Sequence, residues 1–388
     1  MAYNQFYGGS TTMSILKGIN KPTILLNKTI VRSNIKTMQE KAQQNNVLLR
    51  PHFKTHQSAV VGEWFRQAGT TAITVSSLDM AAYFAQNGWK DITVAFPVNI
   101  LEIQEINELA ARIDLGLLVE SFEVVDYLQK NLEHAVKTWI KIDSGSHRTG
   151  LPWQATVVIN RLASRIMQTS NLHLQGILTH AGETYHAASP NEIRRLFAES
   201  ILRMDQVRSS LKMAGILDIQ ISVGDTPGVM LSRSFSNVDE IRPGNYVFFD
   251  AMQLNLGSCQ EKDIAMVVAC PLVAIHPERN EAIIYGGAVH FSKDSFTQDS
   301  INKYGLVVPL NDHGWGKTIP GAYLKGLSQE HGIVHLPAEI INRYSIGDLI
   351  GIVPAHSCLT VDLLQDYRTL SGEVIHTLYS QYSKSGLI

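Results

Sequence analysis

Cysteine is scarce in this sequence, which has only Cys259, Cys270 and Cys358 among its 388 residues. Three cysteines cannot all pair within one chain, and their wide spacing does not fit the disulfide framework of a small secreted domain. Reduced thiols are the default inside cells. We therefore expect a protein of the cytoplasm.

Long apolar runs and an excess of one charge are also missing. No segment is apolar for the roughly 20 residues that a membrane-spanning helix needs, and the N-terminal residues lack the apolar core of a signal peptide. The 33 Lys and Arg residues nearly balance the 35 Asp and Glu residues. No net field therefore favours nucleic acid or an anionic membrane as a partner. We expect a soluble, unprocessed protein with a small-molecule partner.

Between about residues 45 and 250, short apolar runs alternate with longer amphipathic segments such as Ala155–Met167 and Glu192–Met213. This alternation is typical of βα units around a parallel sheet. Eight such units predict an α/β fold with a (β/α)8 TIM-type barrel. An open doubly wound sheet with the same strand count is the alternative. The eight candidate strands are Val47–Lys54, Ala72–Ser77, Asp91–Phe96, Ile113–Val119, Lys137–Asp143, Leu172–His180, Asp218–Gly224 and Ile241–Asp250.

The pattern changes after Asp250, where β-rich segments are separated by Gly, Pro and Asn turns. These segments predict a second, mostly β domain. Residues 287–331 show little periodicity, and their length favours a functional loop. The predicted strands of this domain are Ile264–His276, Glu281–Gly286, Gly332–Leu336 and Leu349–Val353.

Chemically active side chains follow several barrel strands, and barrel enzymes build their sites at those carboxyl ends. Lys54 ends the first strand among basic and apolar neighbours, which favour the free amine that a Schiff base needs. Arg148 follows the fifth strand in a loop between Gly145 and Gly150. Alone, a solvated surface Lys or Arg would explain either residue.

The sixth and seventh strands end in further candidates. His180 and Tyr185 follow the sixth strand, and the turn from Gly224 through Thr226 follows the seventh. A Gly-Asp-Thr-Pro-Gly turn that opens a helix offers backbone N–H groups and a hydroxyl to a phosphate. The same turn would also serve as a plain helix N-cap.

His356 and Cys358 form a His-x-Cys pair near the end of the chain. In an extended strand, residues i and i+2 point to the same side, so an imidazole and a thiolate could meet one ion there. This donor pair selects zinc among the common metals and leaves room for water and substrate. A buried thiol beside a hydrogen-bonded histidine is the alternative.

Together, these residues resemble the fold-type III family of pyridoxal-phosphate (PLP) enzymes, of which alanine racemase is the best-known member. The narrower resemblance is to the D-serine dehydratase and D-threonine aldolase subfamily. It covers roughly residues 22–362, and the joint occurrence of its motifs in this order is highly specific. The motifs are Arg50-Pro-His-x-Lys54-Thr-His, Lys141-Ile-Asp-Ser-Gly-x-His-Arg148-Thr-Gly-Leu, Ser222-Val-Gly-Asp-Thr-Pro, Glu240-Ile-Arg-Pro-Gly-Asn-Tyr and Pro354-Ala-His356-Ser-Cys358-Leu-Thr.

The resemblance implies a role for each candidate residue. Lys54 would hold PLP and act as the base at Cα, with Arg148 beside the phenolic oxygen of the cofactor. His180 and Tyr185 would lie near the pyridine ring, Gly224 and Thr226 would take the phosphate, and His356 and Cys358 would bind Zn²⁺. The implied domains are an alanine racemase-like PLP barrel over residues 22–262 and a β-rich domain over 263–388, to which residues 1–21 contribute.

The activity implied first is elimination of water and ammonia from D-serine or another small D-3-hydroxyamino acid. D-threonine aldolase-like cleavage, racemisation and non-enzymatic PLP binding are the alternatives. A racemase needs a second base, a tyrosine from the partner subunit, for which we find no counterpart. The single-barrel PLP-binding proteins lack a C-terminal β domain. By analogy, we expect a homodimer.

Some residues depart from the subfamily pattern or are harder to place. Gln57 stands where a lysine is usual, and the segment from Tyr285 to Asp294 lacks the Asp-Gly-Gly element of D-threonine aldolases. These departures leave the choice of substrate open. His331, in a Glu-His-Gly element that precedes the metal motif, is a candidate to approach the metal.

Overall fold

Eight parallel strands form the barrel of the structure, a computed structural model that describes residues 15–380. Numbered along the chain as barrel strands 1 to 8, each pairs with its sequence neighbours, and strand 8 pairs with strand 1. A single parallel bridge between His52 and Thr74 joins strand 1 to strand 2 and closes the ring. The predicted barrel is confirmed. Its strands are Leu48–Leu49, Ala72–Val75, Asp91–Pro97, Asp114–Val119, Val136–Asp143, Leu172–Leu178, Gln220–Val223 and Glu240–Ile241. A ninth, two-residue strand of the same sheet, Leu151–Pro152, pairs only with Val136–Asp143.

Barrel strands 1 and 8 are much shorter than the sequence predicts. In both, an Arg-Pro pair follows within two residues, and proline cannot donate to a ladder hydrogen bond. The two chain segments nevertheless stay side by side. The amide of Arg50 donates to Ile241 O at 3.0 Å, and the amide of His52 donates to Pro243 O at 3.0 Å. This pairing delivers the residues after both strands to one place at the barrel mouth.

Helices surround the barrel, each with an apolar face against the strands. In the first helix, Val31, Ile35, Met38 and Ala42 are buried, which is the spacing of one helix face. Asn27 begins this helix by accepting hydrogen bonds from the amides of residues 29 and 30. The barrel helices are Lys28–Gln44, Ala59–Gln67, Leu78–Gln86, Ile103–Ala110, Phe122–Asn131, Thr156–Met167, Pro190–Met213 and Thr226–Leu231.

A nine-stranded, mostly antiparallel sheet forms the second domain. Six strands close into a ring because Glu281–Tyr285 pairs with both Met266–His276 and His331–His335. The strand Thr23–Leu26 precedes the barrel in sequence but lies in this second sheet, between Met266–His276 and Asp366–Thr369. The other strands are Gly305–Val308, Tyr323–Leu327, Leu349–Pro354 and Val374–His376. Short helices in this half of the chain are Ala251–Asn255, Ala288–Phe291, Ala338–Ile341 and Ser357–Leu364.

The prediction of a loop over residues 287–331 is wrong, because most of this segment forms regular secondary structure. The segment holds a helical turn, two strands of the main sheet and two small hairpins. Its strands are only two to five residues long and are broken by Gly, Asp and Ser turns, so no periodicity could accumulate. The hairpins pair Phe296–Gln298 with Ile301–Lys303 and Leu310–Asn311 with Gly314–Trp315.

The second domain packs on the barrel at the turn that follows barrel strand 1. The Tyr367 hydroxyl donates to His56 O at 2.6 Å, and the amide of Leu378 donates to Gln57 O at 2.8 Å. The side-chain Nε2 atom of Gln57 also donates to the Asp362 carboxylate at 2.9 Å. Over residues 15–380, no helix combines the length and apolarity that a bilayer span requires.

Candidate active site

Lys54 lies in a short 3-10 helix, Phe53–Thr55, that follows Pro51. Phe53 anchors this turn because its buried ring lies about 5 Å from the rings of Phe65, Phe84 and Trp89. The Nδ1 atom of His52 accepts from the amide of Lys54 at 3.4 Å. The anchored turn leaves the Lys54 side chain exposed at the barrel mouth instead of buried.

His180 lies within the electrostatic reach of the predicted cofactor residues. Its Nδ1 atom donates to the carbonyl of Gly224. Burial and the positive charges of Lys54 and Arg148 hold the pKa of His180 well below its usual value. The ring is therefore neutral, with its proton on Nδ1. Lys54 and Arg148 are thus close enough to His180 for their charges to act on its ring.

Two further cations lie near these residues and were not predicted as site residues. Burial, Arg242 and Arg148 lower the pKa of Lys141 to about 7. Burial also lowers the pKa of Arg242, to about 10. The Arg242 guanidinium donates to the carbonyl of Thr179 at 2.5 Å and to the hydroxyl of Ser222. Both cations stand in motifs already noted, but only the fold shows that their side chains point into the barrel.

The predicted phosphate turn is packed tightly and begins a helix. The Asp225 carboxylate accepts from the amide of Gly228 and from the hydroxyl of Thr184, so it serves as the N-cap. A Cβ atom at Gly224 would lie 2.9 Å from the Cβ of Arg242. Only glycine therefore fits there without displacing a neighbour.

Tyr185 closes over this turn. Its hydroxyl accepts from the amide of Thr226 at 3.3 Å, and its ring lies 6.1 Å from that of His180. The Thr226 hydroxyl in turn accepts from the amide of Asn245 at 3.1 Å. A glycine cradle, a hydroxyl, helix N–H groups and an aromatic side chain thus converge, which fits a phosphorylated aromatic cofactor.

The His356–Cys358 segment is not an extended strand as the sequence analysis assumed. His356 has an extended backbone but is the N-cap of the helix Ser357–Leu364, so Cys358 lies in the first turn. The side chains of the two residues still lie close enough for each to shift the pKa of the other. Asp250 accounts for the local structure, because its Oδ2 atom accepts from the amide of Ser357 at 3.0 Å and fixes the helix start.

The His356–Cys358 pair is electrostatically coupled. Burial lowers the pKa of His356, but the Cys358 sulfur and the Asp294 carboxylate outweigh it and raise the pKa to about 11. Burial raises the pKa of the Cys358 thiol, but the charges of His356 and Lys54 bring it below its usual value. This environment favours the thiolate, which is the form of cysteine that binds metals.

The His356–Cys358 motif contacts residues that neighbour the candidate cofactor site. The Cys358 sulfur lies 3.2 Å from the hydroxyl oxygen of Thr55, the residue after Lys54. The sulfur also lies 3.8 Å from Nδ2 of Asn245. The backbone N–H of Asn245 donates a hydrogen bond to the Thr226 hydroxyl. Asn245 was not singled out from the sequence, although it stands in the Arg-Pro-Gly-Asn-Tyr motif. The fold therefore brings all the predicted site residues to one end of the barrel.

The number of protein ligands available to a metal is small. Among residues 15–380, no three His, Cys, Asp or Glu side chains gather as a metal-binding group. His331 is exposed, begins the strand His331–His335 and pairs there with Tyr285. An imidazole and a thiolate with open positions around them fit a zinc ion that also binds water or substrate.

Comparison with known proteins identifies the class. The alanine racemase N-terminal domain family matches residues 26–252, and a serine dehydratase domain family matches residues 265–370. The chain belongs to the fold-type III family of PLP enzymes, with an alanine racemase-like barrel followed by a serine dehydratase domain. The predicted family and fold class are confirmed.

Individual relatives narrow the assignment to one branch. The chain is 30% identical to a D-threo-3-hydroxyaspartate dehydratase from Delftia sp. (strain HT23) over 92% of its own length and 95% of the relative. It is 30% identical, with the same coverage, to a D-serine dehydratase from Dictyostelium discoideum. Similarity to a D-threonine aldolase from Arthrobacter sp. is lower, at 20% over 61% of the chain.

Solved structures agree with this assignment. The Delftia D-threo-3-hydroxyaspartate dehydratase superposes with a TM-score of 0.86 at 29% identity, covering 94% of this chain and 98% of that one. Further structures of D-threo-3-hydroxyaspartate dehydratase are of a cysteine-to-alanine variant in the metal-free form and of a histidine-to-alanine variant. The two substituted positions are two residues apart, which is also the spacing of His356 and Cys358.

Proposed function

We propose that this chain is a PLP- and zinc-dependent lyase that converts small D-3-hydroxyamino acids to a 2-oxo acid and ammonia, by β-elimination of water followed by hydrolysis, as a D-serine dehydratase does. The observation that carries the proposal is the 3.2 Å contact between Cys358 and Thr55. It places the metal motif beside the turn that holds the Lys54 amine. An amino acid with its Cα at Lys54 then presents its β-hydroxyl to His356 and Cys358.

The cofactor part of the proposal rests on the cluster at the barrel mouth. PLP, when bound, supplies an electron sink that stabilises negative charge at Cα. Lys54 is the amine that binds it and the base that takes the α proton. The neutral His180 ring can pack on a pyridine ring without adding charge. The proposed cofactor-binding residues are Lys54, Arg148, His180, Tyr185, Gly224 and Thr226.

The metal part of the proposal rests on the donor set. Zinc would supply a Lewis acid that stabilises the developing charge on the departing β-oxygen. His356 and Cys358 would hold the ion, and the buried wall of Thr55 and Asn245 keeps the thiolate on that side. The metal-free dehydratase variant, with its substituted cysteine at the same spacing from a histidine, supports this role.

We further propose that the enzyme is a cytoplasmic homodimer. Lys54 and Arg148 are both exposed at the barrel mouth, so a second copy could cover the mouth and exclude water from the reaction. Cys259, Cys270 and Cys358 are all unpaired, which suits a reducing compartment. Sedimentation of the purified protein at two concentrations tests the dimer, and a monomer at both would contradict it.

Product analysis separates the candidate reactions. Purified enzyme with PLP and zinc is incubated with D-serine, D-threonine and D-threo-3-hydroxyaspartate, and the 2-oxo acid, ammonia and glycine are measured. We expect the 2-oxo acid with an equal amount of ammonia, and loss of this activity on chelation while PLP stays bound. Glycine and an aldehyde would instead establish aldol cleavage, and full activity without zinc would exclude the metal role.

A further inference from the structure

The segment after Gly286 is shaped to deliver one carboxylate. A Cβ atom at Gly287 would lie 2.2 Å from the carbonyl oxygen of Gln329, so the chain packs there without a side chain. The helical turn Ala288–Phe291 follows, held by the buried ring of Phe291. Ser292 then takes a positive φ of 67°, and its hydroxyl accepts from the amide of Asp294 at 3.1 Å.

The carboxylate so placed meets the proposed metal ligand. The Oδ2 atom of Asp294 lies 2.7 Å from Nδ1 of His356. An ionised carboxylate only accepts hydrogen bonds, so the proton lies on Nδ1 of the imidazole. The other ring nitrogen, Nε2, is then the atom left for a metal ion, which would displace the proton that Nε2 carries in the charged ring.

We propose that Asp294 is a positioning residue for zinc binding, which fixes the tautomer and the ring orientation of His356 so that Nε2 and the Cys358 sulfur face the same ion. The inference rests on the zinc site of the proposed function. A carboxylate on the outer nitrogen of a metal-binding imidazole typically accounts for a 10–100-fold difference in metal affinity. Asp294 would not touch the metal or the substrate.

A second Asp–His pair in the chain provides a matched comparison. Asp366 lies 2.7 Å from Nδ1 of His376, the same distance as in the Asp294–His356 pair. The side chains of the two pairs are also similarly exposed, at 40% and 33% against 43% and 30%. The Asp366–His376 pair joins the last two strands of the second sheet, Asp366–Thr369 and Val374–His376, and includes neither of the proposed zinc ligands. Loss of either carboxylate therefore removes the same kind of ion pair, but only one loss affects the proposed zinc site.

Zinc affinity tests the inference without reference to activity. The PLP-loaded protein is stripped of metal, and zinc binding is measured by competition with a chromogenic chelator at fixed pH. We expect Asp294→Ala to weaken zinc binding about 10–100-fold and Asp366→Ala to leave it within about twofold of the parent. Asp294→Asn should recover most of the affinity, because its amide oxygen can accept the same Nδ1 proton.

The outcomes separate this inference from the proposed function. If the parent protein binds no zinc, the zinc-dependent function fails. If the parent binds zinc and folded Asp294→Ala binds it equally well, only the role of Asp294 is overturned. An Asp294→Asn variant no better than Asp294→Ala would also overturn positioning, because charge alone would then explain the loss. Asp294→Ser, whose hydroxyl is too short to reach the ring, replaces the alanine variant if that one does not fold.

Discussion

The Cys358 sulfur lies 3.2 Å from the hydroxyl oxygen of Thr55, although 303 positions separate them in the chain. Thr55 belongs to the turn that carries Lys54, and Cys358 belongs to a helix of the second domain. The turn that carries the proposed cofactor lysine is thus in direct contact with the cysteine proposed to bind the metal.

Replacing Lys54 with alanine should abolish both cofactor attachment and turnover. The variant loses the only proposed Schiff-base amine and the base at Cα, so we expect a fall in kcat/KM of about 1,000-fold or more. The visible absorption of bound PLP should disappear in parallel. Lys90→Ala is the control, because Lys90 is exposed just before barrel strand 3, at the opposite end of the barrel. A yellow, active Lys54→Ala enzyme would refute the assignment.

Replacing Cys358 with alanine should separate proton abstraction from elimination. Without the thiolate the protein should lose zinc, and 2-oxo acid formation from D-serine should fall by at least about 100-fold. Lys54 is untouched, so exchange of the α proton with heavy water should continue. Mass spectrometry of recovered D-serine measures this exchange, with Cys259→Ala as the control. Loss of exchange together with elimination would mean that Cys358 acts through the cofactor pocket instead.

Replacing Gly224 with alanine should weaken PLP binding while the fold is kept. The added methyl would lie 2.9 Å from the Cβ of Arg242, and overpacking of this kind costs about 1–3 kcal/mol. We expect the dissociation constant of PLP to rise about tenfold or more, as measured by fluorescence titration. Gly326→Ala is the control, since its Cβ meets only Ile333 at 3.8 Å. Equal PLP affinity in both variants would exclude Gly224 from the phosphate site.

Replacing Asp91 with asparagine should destabilise the barrel at the amino-terminal ends of its strands, opposite the barrel mouth. The Asp91 carboxylate lies 2.5 Å from the buried guanidinium of Arg50, whose other partner is Glu240. Losing one of the two charged partners should lower the free energy of unfolding by about 1–3 kcal/mol at pH 7. Denaturant unfolding measures this difference. Asp126→Asn, which breaks an exposed ion pair with Arg165, should change it by less than about 0.5 kcal/mol.

The Asp91 effect should also depend on pH with a known sign. Burial raises the pKa of Asp91, but Arg50 and Lys137 outweigh it and hold the pKa below its ordinary value of 3.8. A carboxylate with a lowered folded-state pKa stabilises the protein above the unfolded value and loses this contribution as pH falls through the folded value. The difference between parent and Asp91→Asn should therefore be constant above about pH 5 and shrink below pH 3.8. A difference that grows in acid would contradict this account.

The sequence predicted the barrel because βα units repeat with a strong and regular period. All eight strands and both named crossover helices are present. The shortness of barrel strands 1 and 8 was missed, although Pro51 and Pro243 were visible, because Phe53 and the apolar residues 246–249 beyond the prolines extended the two predicted strands. The strands between residues 287 and 331 were missed because each is too short to show a period.

The candidate site was predicted from sequence motifs. The motifs do not specify the local backbone structure or the orientation of each side chain. His356 and Cys358 were assigned to a strand, but Asp250, more than 100 positions away, caps a helix there instead. Asp294 carries no local signal, since its partner His356 is 62 residues further along the chain. Lys141 and Arg242 stand in recognised motifs, yet whether a strand residue faces the barrel interior depends on register, which a single sequence does not specify.

The strand Thr23–Leu26 makes the barrel an insertion within the second domain. The chain leaves that sheet after Leu26 and returns at Met266, about 240 residues later. During synthesis this strand therefore waits unpaired until both Met266–His276 and Asp366–Thr369 have been made. A shortened chain that starts after Leu26 would keep the whole barrel but expose two bare strand edges, which invites aggregation. The two domains are thus inseparable by a single cut, and their assembly has a high contact order.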